Sequence, residues 1–175
     1  FERFLDSVGK YVQVVFVGDD LAEQKGPSIN PEIYRTLVKP KHEKLYKLIK
    51  TKTQAKLCYH SCGSVIPFIK DLLEIGVDIL TPIQVSAAKM DTQKLKEEFG
   101  DRLSFLGAVD TQRVLPFGTT DEVKHEVRKR IHDLAPNGGY ILGAVHNIQP
   151  EVPPENICTM FEAAMKYGQY PVKIG

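Results

Sequence analysis

Lys56-Leu57-Cys58-Tyr59-His60-Ser61-Cys62-Gly63-Ser64 reads as a buried strand that runs directly into a His-x-Cys-Gly loop, with a helix to follow. Leu57, Cys58 and Tyr59 are consecutive and apolar, the pattern of a strand covered on both faces, as in parallel sheets. His60 and Cys62 stand at i and i+2 in extended backbone leaving that strand, so both side chains can face one side. An imidazole and a thiolate so placed either are metal ligands able to share one ion or merely pack and hydrogen-bond at a loop. What else reaches that place depends on the fold around it.

Upstream, Phe1, Phe4, Leu5 and Val8 make a helical stripe that Gly9 stops. Residues 11–17 are β-branched and aromatic, a second strand pattern of the kind covered on both faces, ending in Gly18-Asp19-Asp20-Leu21. After a loop with Gly26, Pro27 and Asn30, Pro31 suits a first helical position, and a helix is predicted to about residue 50. Downstream, residues 65–74 read as a helix stopped by Gly76, and 77–81 as a strand ending in Pro82-Ile83-Gln84. A short helix over 91–99 stops at Gly100. A strand over 103–107 leads into Val109-Asp110-Thr111-Gln112. Thr119-Thr120-Asp121-Glu122 caps a helix running to about residue 134. Pro136-Asn137-Gly138-Gly139 is a turn, 140–144 a strand ending in His146-Asn147, and Pro153-Pro154-Glu155 opens the last helix.

Strands that alternate with helices mean an α/β fold with a parallel sheet and right-handed crossovers. An open doubly wound sheet and a (β/α)8 (TIM) barrel both fit. No Gly-x-Gly-x-x-Gly follows the first strand, which disfavours dinucleotide binding. Polar groups follow every strand instead: Asp19 and Asp20, His60 and Cys62, Gln84, Asp110 and Gln112, His146. Barrels build their sites from several C-terminal strand ends, so a barrel is expected, with about five of its eight units supplied here.

With 175 residues, residues 1–175 are read as one domain. Lys plus Arg is 23 and Asp plus Glu is 22, which argues against a basic footprint for nucleic acid. No apolar run reaches the roughly 20 residues of a membrane span. No signal-peptide pattern is seen, so a cytoplasmic setting is expected. Three cysteines are too few for a disulfide framework, and free thiols are expected. The chain starts at Phe1, already within a helical stripe, so it is expected to begin inside a larger protein.

A third metal ligand has to come from a distant part of the chain. His146, at another strand end, is the candidate, giving three protein ligands and one open position, the catalytic zinc arrangement. Asp19, Asp20 and Asp110 could orient substrate or transfer protons, or each could cap a turn. Gln84 and Gln112 are candidate substrate contacts. Cys58 and Cys158 read as core, and His42, His125 and His132 as solvated. Lys124, Arg128, Lys129 and Arg130 read as a wet helix face.

Several of these stretches together resemble the uroporphyrinogen decarboxylase (URO-D) superfamily: Gly18-Asp19-Asp20-Leu21, His60-Ser61-Cys62-Gly63, 76–84, Phe99-Gly100, 107–112, 138–142 and 153–157. The resemblance covers nearly the whole chain, as the C-terminal part of a URO-D-like barrel domain. It implies a (β/α)8 barrel with its site at the C-terminal face. The superfamily holds metal-free decarboxylases of tetrapyrroles, and corrinoid-dependent methyltransferases that bind zinc. The latter move a methyl group from a methylated corrinoid protein to a thiol or folate. His60-Ser61-Cys62-Gly63 resembles the methyltransferase branch, where it supplies two zinc ligands. That branch's third ligand is typically a cysteine after the Gly-Gly-Tyr-Ile-Leu strand; His146 stands there here, a residue the decarboxylase branch shares.

The leading expectation is therefore zinc-dependent methyl transfer from a corrinoid partner. His60, Cys62 and His146 would hold zinc; Asp19, Asp110 and His146 would act on the substrate; Asp20, Gln84 and Gln112 would bind it. The alternatives are tetrapyrrole decarboxylation with no cofactor, and a tetrapyrrole- or corrinoid-binding module without turnover. Two exposed strand edges predict association with the N-terminal part of such a barrel or with a second copy.

Overall fold

The computed structural model describes residues 1–172. These form two compact units, one comprising Phe1–Thr81 with Ala87–Lys89, the other Pro82–Ser86 and the chain from Met90 on.

The first unit opens with α1 (Glu2–Val8) and β1 (Val14–Gly18), followed by a small hairpin of β2 (Ala22–Glu23) and β3 (Gly26–Pro27). A helical stretch then runs through α2 (Pro31–Ile33), a π turn (Tyr34–Val38) and α3 (Lys39–Lys52). The start follows the sequence: Asn30 accepts from the Glu32 amide at 2.8 Å, and Pro31 occupies the first helical position. Pro40 explains the π turn. It has no N–H to donate and its ring crowds the preceding turn, so the helix widens there. β4 (Lys56–His60), a single 3₁₀ turn (Ile66–Phe68), α4 (Ile69–Glu74) and β5 (Ile79–Thr81) complete the unit.

β1 and β5 both pair parallel to β4. Leu57, Cys58 and Tyr59 are all buried, as expected for a strand covered on both faces. β1 departs from that expectation: Val15 and Val17 are buried, but Val14 is 44% and Phe16 60% exposed. The side chains of a strand point alternately to its two faces, and only one face of β1 is covered. Tyr34, Tyr46, Tyr59 and Phe68 form a fully buried aromatic cluster in this unit.

In the second unit, α5 (Thr92–Phe99) is capped by Asp91, whose carboxylate accepts from the Lys94 amide at 2.9 Å. β6 (Ser104–Val109), the short α6 (Val114–Phe117), α7 (Thr120–Leu134), β7 (Tyr140–Ala144) and α8 (Pro154–Tyr167) follow. β6 and β7 are parallel, with Val109 opposite Ala144. Val109, Leu115, Val123, Val127, Ile131 and Met160 make the core beneath them.

Each of the five parallel strands β1, β4, β5, β6 and β7 is followed by helix, so the chain is α/β with the alternation of part of a (β/α)8 barrel.

The start of α7 is a capping box. The Thr119 hydroxyl accepts from the Glu122 amide, and the Glu122 carboxylate accepts from the Thr119 amide at 2.7 Å. Thr119→Ala should lower unfolding stability by about 1 kcal/mol in urea titrations, whereas Thr119→Ser should change it little.

Three readings of single residues need correction. His42 is buried, not solvated, because the turn geometry points it into the aromatic cluster, where it stacks on Tyr46. Cys158 is exposed, because α8 buries the face carrying Asn156, Thr159, Met160 and Ala163 instead. Arg130 is not part of a wet face: its guanidinium forks onto the buried carboxylate of Glu126 at 3.0 and 3.2 Å. Cys58 is core as expected, and burial pushes its thiol up to about 11.

Candidate metal centre

The parallel pairing of β1 with β4 places Gly18 opposite His60, so the loops leaving the two strands emerge side by side. One carries Asp19 and Asp20, the other Ser61 and Cys62. Among the described residues this makes one group of three with metal-ligand chemistry. The ligand atoms of Asp20, His60 and Cys62 all lie within 4.8 Å of one another.

His60 Nε2 is 3.6 Å from Cys62 Sγ and 3.7 Å from Asp20 Oδ1. Bond lengths of about 2.3 Å to sulfur and 2.0–2.1 Å to nitrogen, at a tetrahedral angle, put the N–S edge at about 3.6 Å. The His60–Cys62 spacing therefore fits a single small ion shared by these two side chains, with Asp20 close by. The donor set, one nitrogen, one sulfur and one oxygen, suits zinc.

Both loops are fastened by bonds of their own. The Cys62 amide donates to Asp20 Oδ1 at 2.8 Å. Buried Ser61 accepts from the Leu21 amide at 3.1 Å, and its own amide donates to the Thr81 carbonyl at 2.9 Å. The β2–β3 hairpin lies against the His-x-Cys-Gly loop, where the Ser64 amide donates to the Glu23 carbonyl at 2.9 Å. Gly63, at φ +83°, is in the left-handed region. A Cβ there would stand 2.6 Å from backbone atoms of Ala22 and Glu23. Gly18 is equally confined: a Cβ would meet the His60 carbonyl at 2.6 Å. The half-exposed imidazole of His60 has the Phe16 ring beside it, 5.8 Å between centroids.

Burial pushes the Cys62 thiol above its ordinary range, and the Asp20 charge adds to the effect. Metal-free Cys62 is thus a thiol at neutral pH and a poor nucleophile by itself. A cation is what would hold it as thiolate.

Asp19 faces elsewhere. Its carbonyl accepts from the Tyr59 hydroxyl at 2.8 Å, and its carboxylate lies 3.0 Å from His42 Nε2. Asp110, Gln84, Gln112 and His146 belong to the second unit. Asp110 caps its own turn, accepting from the Gln112 amide at 2.7 Å, and its amide reaches Glu126 at 3.4 Å. Gln84 is buried, with its amide 3.5 Å from the Ser86 hydroxyl. His146 is exposed on the loop after β7, at the same strand ends as Asp110. Asp20, read from sequence as a substrate contact, is the residue the geometry adds to His60 and Cys62. Its signal was its place after β1, but strand pairing had to be known to use it.

The family model for uroporphyrinogen decarboxylase (URO-D) matches residues 3–167. Among solved structures, a methyltransferase from Methanosarcina mazei is similar at a TM-score of 0.69 and 23% identity, over 91% of this chain and 43% of that one. The chain thus spans less than half the length of that methyltransferase. Among curated proteins nothing matches. Among the described residues, no helix is long and apolar enough to cross a membrane.

Proposed function

The chain belongs to the uroporphyrinogen decarboxylase family, and from that premise we propose that it carries the metal-binding part of a zinc-dependent methyltransferase. The acceptor would be a thiol or a folate, and the donor a methylated corrinoid protein. The single observation behind this reading is the tetrahedral edge between His60 and Cys62, with Asp20 beside them. His60, Cys62 and Asp20 would hold zinc, which leaves the fourth tetrahedral position open for the acceptor.

When bound, zinc supplies the charge that keeps an acceptor thiol as thiolate at neutral pH. The chain's own residues do the rest. Asp20 fixes the Cys62 loop through the amide bond. Phe16 covers one side of His60 and presents an exposed ring to whatever approaches. Asp110 and His146, at the ends of paired strands, are the proposed groups for orienting substrate, with Gln84 and Gln112 as further contacts.

Metal analysis of the purified chain tests the reading. Zinc should be retained at about one ion per chain, and His60→Ala and Cys62→Ala should each abolish stoichiometric retention. Asp20→Asn should weaken affinity by about 10–100-fold. Affinity should also depend on pH with a definite sign. Cys62 must lose its proton to bind, and its thiol is raised, so between pH 7 and 8.5 affinity should rise about tenfold per unit. Competition with a chromophoric chelator reads that slope; a flat profile would count against thiolate ligation.

A decarboxylase reading draws on the family's own name and on Asp19, an acidic group at the rim held by His42. Negligible zinc together with turnover of a porphyrinogen would select it.

A further inference from the structure

Two anchors flank Asp20. On one side, Asp19 is held twice, by the Tyr59 hydroxyl on its carbonyl and by His42 on its carboxylate. On the other, the Leu21 amide is held by Ser61. Behind His42 stands Tyr34, whose hydroxyl is 3.4 Å from His42 Nδ1. Tyr34 comes from the π turn, eight residues before His42 in the same helical stretch. The result is a line of side chains, Tyr34–His42–Asp19, running from the aromatic core to the rim.

The chemistry fixes the direction of the bonds. Burial, with the Asp71 and Asp19 charges adding to it, pushes Tyr34 well above the ordinary phenol range. The Asp19 carboxylate can only accept, so His42 Nε2–H donates to it; in the neutral tautomer Nδ1 then carries the lone pair and accepts the Tyr34 O–H. The line ends at Tyr34, which is fully buried. A chain of hydrogen bonds with a closed inner end cannot deliver protons from solvent; it can only hold its outer member still.

We infer that His42 is a positioning residue for the metal centre: through Asp19 it sets the backbone of residues 19–21, so that Asp20 faces His60 and Cys62. This rests on the zinc reading for its consequence, but not for its geometry. The geometry has a metal-free reporter, the Cys62 amide that donates to Asp20.

The test uses the full chain with His42→Phe, His42→Gln and Asp19→Ala. Amide hydrogen exchange and zinc competition are measured on each. In His42→Phe and Asp19→Ala, exchange of the Cys62 amide should quicken by about tenfold or more, while the core amides of Ile49 and Leu72 stay at the wild-type rate. Zinc affinity should fall by about tenfold. His42→Gln keeps a donor toward Asp19 and should restore both. The inference is overturned if Cys62 exchanges at the wild-type rate in His42→Phe, or if glutamine fails to rescue. Asp19 is exposed, so Asp19→Ala carries the same decision should the buried substitution fail to fold. A wild-type chain that binds no zinc would sink the methyltransferase reading, while the exchange data would still decide the role of His42.

Discussion

Gly63→Ala should remove zinc binding and lower unfolding stability by roughly 3 kcal/mol, a loss in the range of strained-backbone and core defects. Two independent penalties coincide at this position. The residue sits at φ +83°, where an L side chain is strained. The added methyl would also stand 2.6 Å from Ala22 and Glu23, both backbone contacts that cannot rotate away. Relief requires the hairpin and the His-x-Cys-Gly loop to part, which breaks the Ser64–Glu23 bond and carries Cys62 away from His60. Urea denaturation and zinc titration on one preparation check both effects. Gly26→Ala is the control, since nothing lies within 4 Å of its Cβ position and no strained φ is involved. If Gly63→Ala keeps wild-type zinc affinity, the loop is not what holds Cys62 in place.

Gly18→Ala should separate the site from the fold. Its methyl would lie 2.6 Å from the His60 carbonyl and 2.7 Å from the His60 Cβ. The strain falls at the last register pair of β1 and β4, while Val14 and Lys56 at the other end are untouched. A strand end can give way by tilting without undoing the pairing behind it. Stability should therefore fall by only about 1 kcal/mol, near the centre of measured point-mutant effects. Affinity for zinc should fall by about 10–100-fold, because His60 turns out of the shared volume. Calorimetric zinc titration beside a thermal melt reads the two numbers separately. An equal wild-type affinity would mean that His60 is not a ligand.

Much of the fold was legible because the signals were local and mutually consistent. β4 declared itself through three consecutive apolar residues between polar ones, and α7 through a Thr-x-x-Glu start that forms both of its reciprocal bonds. Misreadings arose where the deciding contact is distant or the element is small. The β2–β3 hairpin has two residues per strand, too few to show a period. The π turn was announced by Pro40, a breaker inside an otherwise helical pattern. His42 sits in Lys-Pro-Lys-His-Glu-Lys, a run that reads as solvated. Its neighbours in space, Tyr34, Tyr46 and Tyr59, are what bury it. Cys158 belongs to an apolar stripe with exposed Phe161 and Met165, so its composition suggested the inside of a helix that turns it outward.

The candidate site was half legible. His60 and Cys62 could be read from spacing alone, because a strand end aims i and i+2 the same way. The partnership with Asp20 depends on β1 lying beside β4 in a particular register, which spacing does not encode.

One consequence follows from the fastenings around Asp20, Ser61 and Gly63. None of them involves an ion, so the backbone that would cradle one is already rigid at folding. Ion capture should then show almost no change in heat capacity, and its entropy should come from released water and a released proton, with no cost for ordering the loops. The metal-stripped chain should unfold with the same denaturant slope as the loaded one, its midpoint moved by mass action alone.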